Sequence, residues 1–288
     1  MFIKRIKVAF GPLFTVGSPT VYTILLFAIP MLVFLLYSFW QLQGWEIVRS
    51  WNLQNYLDVI HNQTYIKLIL RSSAIGFYTA CFTVLLSYPM AYAMVFHMQE
   101  EREIVLLLII LSLFSSYIVR VYAWKTILGN NGVINQFLIA LNLVREPVPW
   151  LIYSQFAVII TLISVFIPIT ILPIYSSLTN IHTNLLEASR DLGAGPFLTF
   201  LKITLPLSMP GIIAGFVFTF ILTAGDYVTP SLLGGNSGQM IGNSIVSQFG
   251  SLSNWPLGSA ITFFVLGLYL VIFLLISQSI KIVNQHRV

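Results

Sequence analysis

The sequence predicts an all-α polytopic membrane protein with six transmembrane helices, and three observations carry that reading. Of 288 residues, 57% are hydrophobic and only 8% are charged, against about 25% charged in ordinary soluble domains. So little polar surface cannot cover a water-facing exterior, whereas a lipid surround does not ask it to. Six apolar runs reach the ~20 residues that a helix needs to cross a bilayer. The runs are continuous and do not alternate with period two, which argues for helices rather than the strands of a β-barrel.

In chain order the spans are Thr20–Trp40, Ser72–Phe96, Ile104–Lys125, Leu151–Leu178, Leu207–Leu233 and Gly258–Ile280. Turn or polar signals fill the intervals Gln41–Lys67, His97–Glu103, Gly129–Trp150, Asn180–Pro206 and Gly234–Leu257. The whole chain, 1–288, therefore reads as a single transmembrane domain. Lys4, Arg5 and Lys7 resemble the charged start of a signal peptide, but the run that follows is too long for a signal core and five more come after it. Orientation rests on Lys and Arg. Lys4, Arg5, Lys7, Arg102, Arg190, Lys202, Lys281 and Arg287 fall on one side, and Arg49, Lys67, Arg71, Arg120, Lys125 and Arg145 on the other. The basic start before the first span places both termini in the cytoplasm. Pro30, Pro89, Pro168, Pro173 and Pro210 lie within spans, either as simple kinks or as bends that shape a central cavity.

Composition excludes several functions. The net charge of +5 comes from bases at the ends of apolar runs, which suits membrane topology and not nucleic-acid binding. Cys81 is the lone cysteine and His61, His97, His182 and His286 are scattered, so neither a disulfide framework nor a metal site is expected within the chain. Cys81 and His97 read as packing and interface residues. No G-x-x-x-x-G-K-[ST] loop occurs, so the chain lacks the phosphate cradle and lysine that ATP binding needs. An enzyme is not expected.

The interval Asn180–Pro206 reads as a short amphipathic helix starting near Thr183 and stopping at Gly193 and Gly195 before Pro196. Leu185, Leu186, Ala188 and Leu192 can share one face. From periodicity alone, such a helix either docks on a partner or lies on lipid headgroups. The loop also carries Glu187-Ala188-Ser189, Gly193, Ile203 and Leu205-Pro206. These positions resemble the cytoplasmic loop of ATP-binding-cassette (ABC) importer permeases: Glu-Ala-Ala, three residues, Gly, nine residues, Ile, one residue, Leu-Pro. Every spacing matches, and Ser189 in place of the second alanine is the one departure.

That resemblance implies a type I ABC importer permease fold. It also implies that Glu187, Ala188, Ser189, Asp191, Gly193, Ile203, Leu205 and Pro206 couple the chain to a separate ATPase. Small residues at Ala188, Ser189, Gly193 and Ala194 would permit close docking. The chain is most similar to the spermidine/putrescine permeases through Leu186–Ala194, Pro206–Gly215, Gly225–Gly235, Asn254–Gly258 and Arg120-Val-Tyr-Ala-Trp124. Implied with it are a second homologous permease forming a heterodimer, two ATPase subunits, a periplasmic substrate-binding protein, and a bacterial inner-membrane location. No cofactor is expected in this chain, ATP and Mg being bound by the ATPase. Relatives on this scaffold import other solutes, including ferric iron, thiamine and phosphonates. An ion-coupled secondary transporter or a structural scaffold is a further alternative, and the loop match argues against both.

Asp226 is the only acid inside an expected span. Buried ionisable groups in membranes usually serve function, so Asp226 either contacts substrate or pairs with Arg120 in span three. Tyr117, Tyr122, Trp124 and Tyr227 stand close in sequence to one or the other. A carboxylate with aromatic faces suits an organic cation, although Tyr and Trp also belt bilayer interfaces without any ligand. The Gly211–Gly215 spacing permits close helix packing and suits a subunit interface.

Overall fold

The computed structural model describes residues 21–98 and 100–285, with side chains as far as residue 274. The readings that rest on Lys4, Arg5, Lys7, Thr20, Lys281, His286 and Arg287 fall on residues or side chains outside that description. Compact packing divides the chain into two units, one made of the residues up to Ile66 with those from Ser244 onward, the other Lys67–Asn243.

The first unit opens with α1, Val21–Tyr37. The polar interval expected after it contains structure of its own, including a little β. Strands β1 (Gln41–Gln43) and β2 (Glu46–Val48) pair antiparallel with Gln41 opposite Val48. The tight turn between them needs a positive φ, which Gly44 supplies at 64°. Helix α2, Gln54–His61, then folds back. Its buried Asn55 donates to the carbonyls of Ser38 (3.0 Å) and Trp40 (2.7 Å), which would otherwise be unpaired after the end of α1. Helix α11, Ile241–Phe249, and the long final helix α12, Trp255–Gln285, meet α1 through rings: Phe34 meets Phe249 edge-on at 5.6 Å and Trp255 in a stack at 6.1 Å.

The second unit is built on α7, Gln155–Thr179, whose most apolar window is 56% buried against 22–39% for the other candidate spans. Helix α3 (Gln63–Phe96) starts nine residues before the expected Ser72. Its Ile75 packs with Val158 and Leu162 of α7, while Ala91 and Met94 join Ile171, Ile174 and Leu178 of α7 and Ile109 of α4 (Arg102–Leu113). Helix α5 (Tyr117–Leu128) brings Val121 and Leu128 against Leu151, Ile152 and Ala157. Helix α6, Val133–Ala140, follows it.

Span three is a correction. Instead of one rod over 104–125, the chain breaks between α4 and α5 and turns by 92°. The residues on both sides are apolar, so hydropathy is blind to the bend. The turn comes at Phe114-Ser115-Ser116, where Ser116 leaves helical dihedrals at φ −56°, ψ 128°. Span five is corrected too. Its helix starts at Pro196, not Leu207, and runs as α9 (Pro196–Thr199), a π-helical turn (Phe200–Thr204) and α10 (Leu205–Ala224). Pro206 has no N–H to give the Lys202 carbonyl, and the turn before it widens, with the Leu205 N–H reaching Phe200 O. The rod ends at Gly225, short of the expected Leu233, and a separate π turn follows at Pro230–Gly234.

Among the described residues, four helices are long and apolar enough to cross a bilayer: α3, α7, Pro196–Ala224 and α12. The bent pair of α4 with Tyr117–Ala140 raises the number to five at most, and α1 is a shorter apolar helix.

The closest seam in the second unit joins α10 to α7. A Cβ on Gly211 would sit 2.4 Å from the Pro173 carbonyl oxygen, and one on Gly215 3.0 Å from the Thr170 methyl. The small-residue spacing that reads as a subunit interface is therefore filled inside this chain. Hydroxyls add to it: Thr170 Oγ1 meets Thr219 Oγ1 across the seam at 2.6 Å, and Tyr88 OH ties α3 to α10 through Ser208 Oγ at 3.0 Å. In hydrocarbon, such close packing and side-chain hydrogen bonds hold helices together where hydrophobic burial cannot.

Candidate functional site

The expected site residues fall in two places, both within the second unit. The first is the elbow around α8, Thr183–Asp191. The helix ends as the sequence predicts. The N–H of Gly193 reaches Arg190 O at 2.8 Å and that of Ala194 reaches Ser189 O at 3.0 Å, while Gly193 takes φ +80°. Glu187, Ala188, Asp191 and Gly193 are exposed, as is Pro206 further on, and Ile203 and Leu205 are half-buried in the rod. Leu192 is 89% exposed and Phe197 74%, which leaves two large apolar side chains standing free on one elbow.

Two expectations change here. Leu186 does not share the exposed face with Leu185 and Leu192, because it packs on the cluster formed by α3, α4 and α7. Ser189 is not available for docking, because it is buried. Its Oγ lies 2.8 Å from Leu186 O and 2.9 Å from Thr199 Oγ1 of α9.

The second place is the break after α10. Asp226 is not an acid within a helix. It is the residue that restarts the chain after the helix stops. Its Oδ1 accepts from the Val228 N–H at 3.0 Å and its Oδ2 from the Thr229 N–H at 3.2 Å, in the manner of a helix N-cap. Tyr117 OH of α5 donates to Oδ2 at 2.8 Å and meets Thr229 Oγ1 at 2.7 Å. The phenol has one proton and gives it to the carboxylate, so the Thr229 hydroxyl must donate to the phenol oxygen. Each of these donors to Asp226 is neutral.

Of the two alternatives for Asp226, pairing with Arg120 is not what the structure presents. Arg120 Nη1 donates to the Val165 carbonyl of α7 at 2.9 Å, and its Nε is buried without a hydrogen-bond partner. The expected aromatic set divides. Tyr117 belongs to the carboxylate knot. Tyr227, beside it in sequence, is 46% exposed. Tyr122 is half exposed with the Lys125 ammonium 5.8 Å from its ring centre. Trp124 packs against the α5–α7 cluster. Thr229 and Thr199 were not readable as site residues. The one signal for Thr229 is the order Gly225-Asp226, three residues, Pro230 after a long apolar run, which is a helix stop followed by a capped restart. Among the described residues, no group of three or more His, Cys, Asp or Glu side chains is arranged to hold a metal ion.

Residues 19–287 match the family model described as binding-protein-dependent transport system inner membrane component. The spermidine/putrescine transport system permease protein PotB of Haemophilus influenzae is 34% identical over 210 residues, 73% of this chain and 73% of that protein. PotB of Escherichia coli is 33% identical over 224 residues, 77% of this chain and 81% of that protein. Among solved structures, a bacterial ABC transporter involved in the import of the acidic polysaccharide alginate superposes with a TM-score of 0.71 at 18% identity, covering 97% of this chain and 98% of that one. At that identity the likeness speaks for the fold alone.

Proposed function

The chain belongs to the family of inner membrane components of binding-protein-dependent transport systems, and from that premise we propose that it is a permease subunit of an ATP-driven polyamine importer. The carrying observation is its similarity, over about three quarters of its length, to spermidine/putrescine permeases. The cargo is a flexible organic polycation of the spermidine or putrescine class. The buried Asp226 carboxylate has only neutral hydrogen-bond donors, so its negative charge stays uncompensated by them and attracts an ammonium, with Tyr117 and the exposed Tyr227 supplying ring faces. Arg120, Tyr122 and Trp124 belong to the same pathway region, Arg120 as a cation that limits how many ammonium groups can gather there.

In the same proposal, six helices span the membrane and both termini lie in the cytoplasm. The chain pairs with a second homologous permease, receives cargo from a periplasmic binding protein, and couples to two ATPase subunits that hold the ATP and Mg. Coupling runs through 180–206. Leu192 and Phe197 offer apolar side chains to the ATPase, beside Glu187, Ala188, Asp191 and Gly193. Ile203, Leu205 and Pro206 carry the displacement into the α9–α10 rod.

The test is uptake of labelled spermidine by the complete transporter in proteoliposomes, wild type against Asp226→Asn. Asparagine keeps one oxygen to cap the Val228 N–H, but it removes the charge and places an amide NH2 where Oδ2 accepts from Tyr117 and the Thr229 N–H, so the Tm of the purified variant is read beside uptake. The expected result is a rise in KM of about tenfold or more, the scale of losing one charge-assisted contact. Unchanged uptake removes Asp226 from the pathway. A wild-type transporter that takes up no polyamine overturns the choice of cargo.

A further inference from the structure

We propose that Ser189 is a positioning residue that, with Thr199, locks the elbow between α8 and the α9–α10 rod, so that displacement of α8 is delivered to the membrane helix. The proposal rests on reading 180–206 as the loop that meets the ATPase.

The elbow is soft by construction. Only Leu192-Gly193-Ala194-Gly195 separate α8 from α9. Gly193 sits in the left-handed region, and a Cβ on Gly193 or on Gly195 would meet nothing within 4 Å. Nothing packs over the two glycines, and the connector is held to α8 only by the backbone bonds of Leu192, Gly193 and Ala194. A push on α8 could be absorbed there as rotation.

The two hydroxyls close that route. Ser189 and Thr199 are 7% and 8% exposed, and they bridge ten positions of chain at 2.9 Å. Proton inventory fixes the direction. Ser189 Oγ donates its one proton to Leu186 O at 2.8 Å, so Thr199 must donate to Ser189. The result is a relay from the Thr199 hydroxyl to Ser189 to the α8 backbone, shielded from water at both joints. Buried hydroxyls in such a chain hold one arrangement, because opening it leaves a donor without an acceptor. Thr199 is also the last residue before the π-helical turn Phe200–Thr204, so the tie is made where the rod's geometry changes, next to the half-buried Ile203. Alanine, the residue of the loop pattern at this position, has no hydroxyl and cannot make the bond. The lock is therefore a property of this chain rather than of the pattern, and the pattern's own alanine is a fitting replacement that should not disturb folding.

The experiment uses the whole transporter in proteoliposomes and reads two quantities: ATPase retained on purification, and substrate moved per ATP hydrolysed. The variants are Ser189→Ala, Thr199→Val, both together, and Thr199→Ser. ATPase retention is expected to match wild type throughout. Moved substrate per ATP should fall about fivefold in Ser189→Ala and in Thr199→Val, the change one net hydrogen bond makes in an equilibrium, and the double variant should be no better. Thr199→Ser keeps the hydroxyl and should restore the ratio. A role in burial alone predicts otherwise, because removing both hydroxyls leaves neither stranded. A double variant with the wild-type ratio overturns the proposal, as does Ser189→Ala or Thr199→Val with the wild-type ratio. A wild-type chain that retains no ATPase overturns instead the reading of the loop on which the proposal stands.

Discussion

Replacing Gly211 by alanine places a methyl group where α7 already stands. The new carbon would lie 2.4 Å from the Pro173 carbonyl oxygen, 2.5 Å from Ser177 Oγ and 2.8 Å from Ser177 Cβ. The serine hydroxyl can rotate away. The Pro173 carbonyl is helix backbone and can yield only if α10 retreats, by about 0.6 Å to reach even a 3.0 Å contact. That retreat acts along the same seam, where Gly215 already approaches Thr170 and where Thr170 and Thr219 share a 2.6 Å bond. Overpacking of this kind costs about 1–3 kcal/mol. Alanine's better helix propensity returns about 1 kcal/mol, leaving a net loss of up to about 2 kcal/mol and a fall in Tm of up to roughly 8 °C. Thermal unfolding of the purified chain in detergent measures it. The internal control is Gly267→Ala in α12, where a Cβ meets nothing within 4 Å and stability should hold or rise slightly. Equal Tm values for the two variants would refute the claim that the α7–α10 approach depends on a bare backbone at Gly211.

Gly193 presents the opposite case, because space around it is free and only its φ of +80° is demanding. Gly193→Val should cost about 1–2 kcal/mol at the elbow and reduce uptake while expression is kept, and Gly193→Asn should retain most uptake; equal uptake by both variants would contradict the backbone argument. Gly193→Asp adds a charge at the same exposed corner and is expected to uncouple transport without loss of expression, measured as uptake against protein level. Tyr117→Phe removes one of the three donors to Asp226 and the acceptor for Thr229, a loss of about 1.5–3 kcal/mol for a bond to a charged group. Unfolding of the purified variant should show it as a lowered Tm, and an unchanged Tm would mean the carboxylate finds another donor.

The helical, apolar character and the α8 elbow with its Gly193 stop were legible in the residues, because hydropathy, helix caps and positive-φ glycines are local properties of a chain. Motif spacing is equally local, so the family was legible from Glu187 to Pro206 as well. What the sequence could not decide was everything that depends on which surfaces meet. The bend at Phe114–Ser116 lies between two equally apolar segments and leaves no mark in hydropathy. The Gly211–Gly215 face is small whether it meets α7 or another subunit, and only the packed chain puts Pro173 and Thr170 against it. Asp226 looks like a lone charge in an apolar run until Tyr117, more than a hundred residues earlier, and the Val228 and Thr229 amides arrive around it. Ser189 looks like a conservative change for alanine until Thr199 folds back to bond it. Hydrogen bonds and steric contacts act over about 3 Å in space, with no reference to separation along the chain, and so the fold alone assigns their partners.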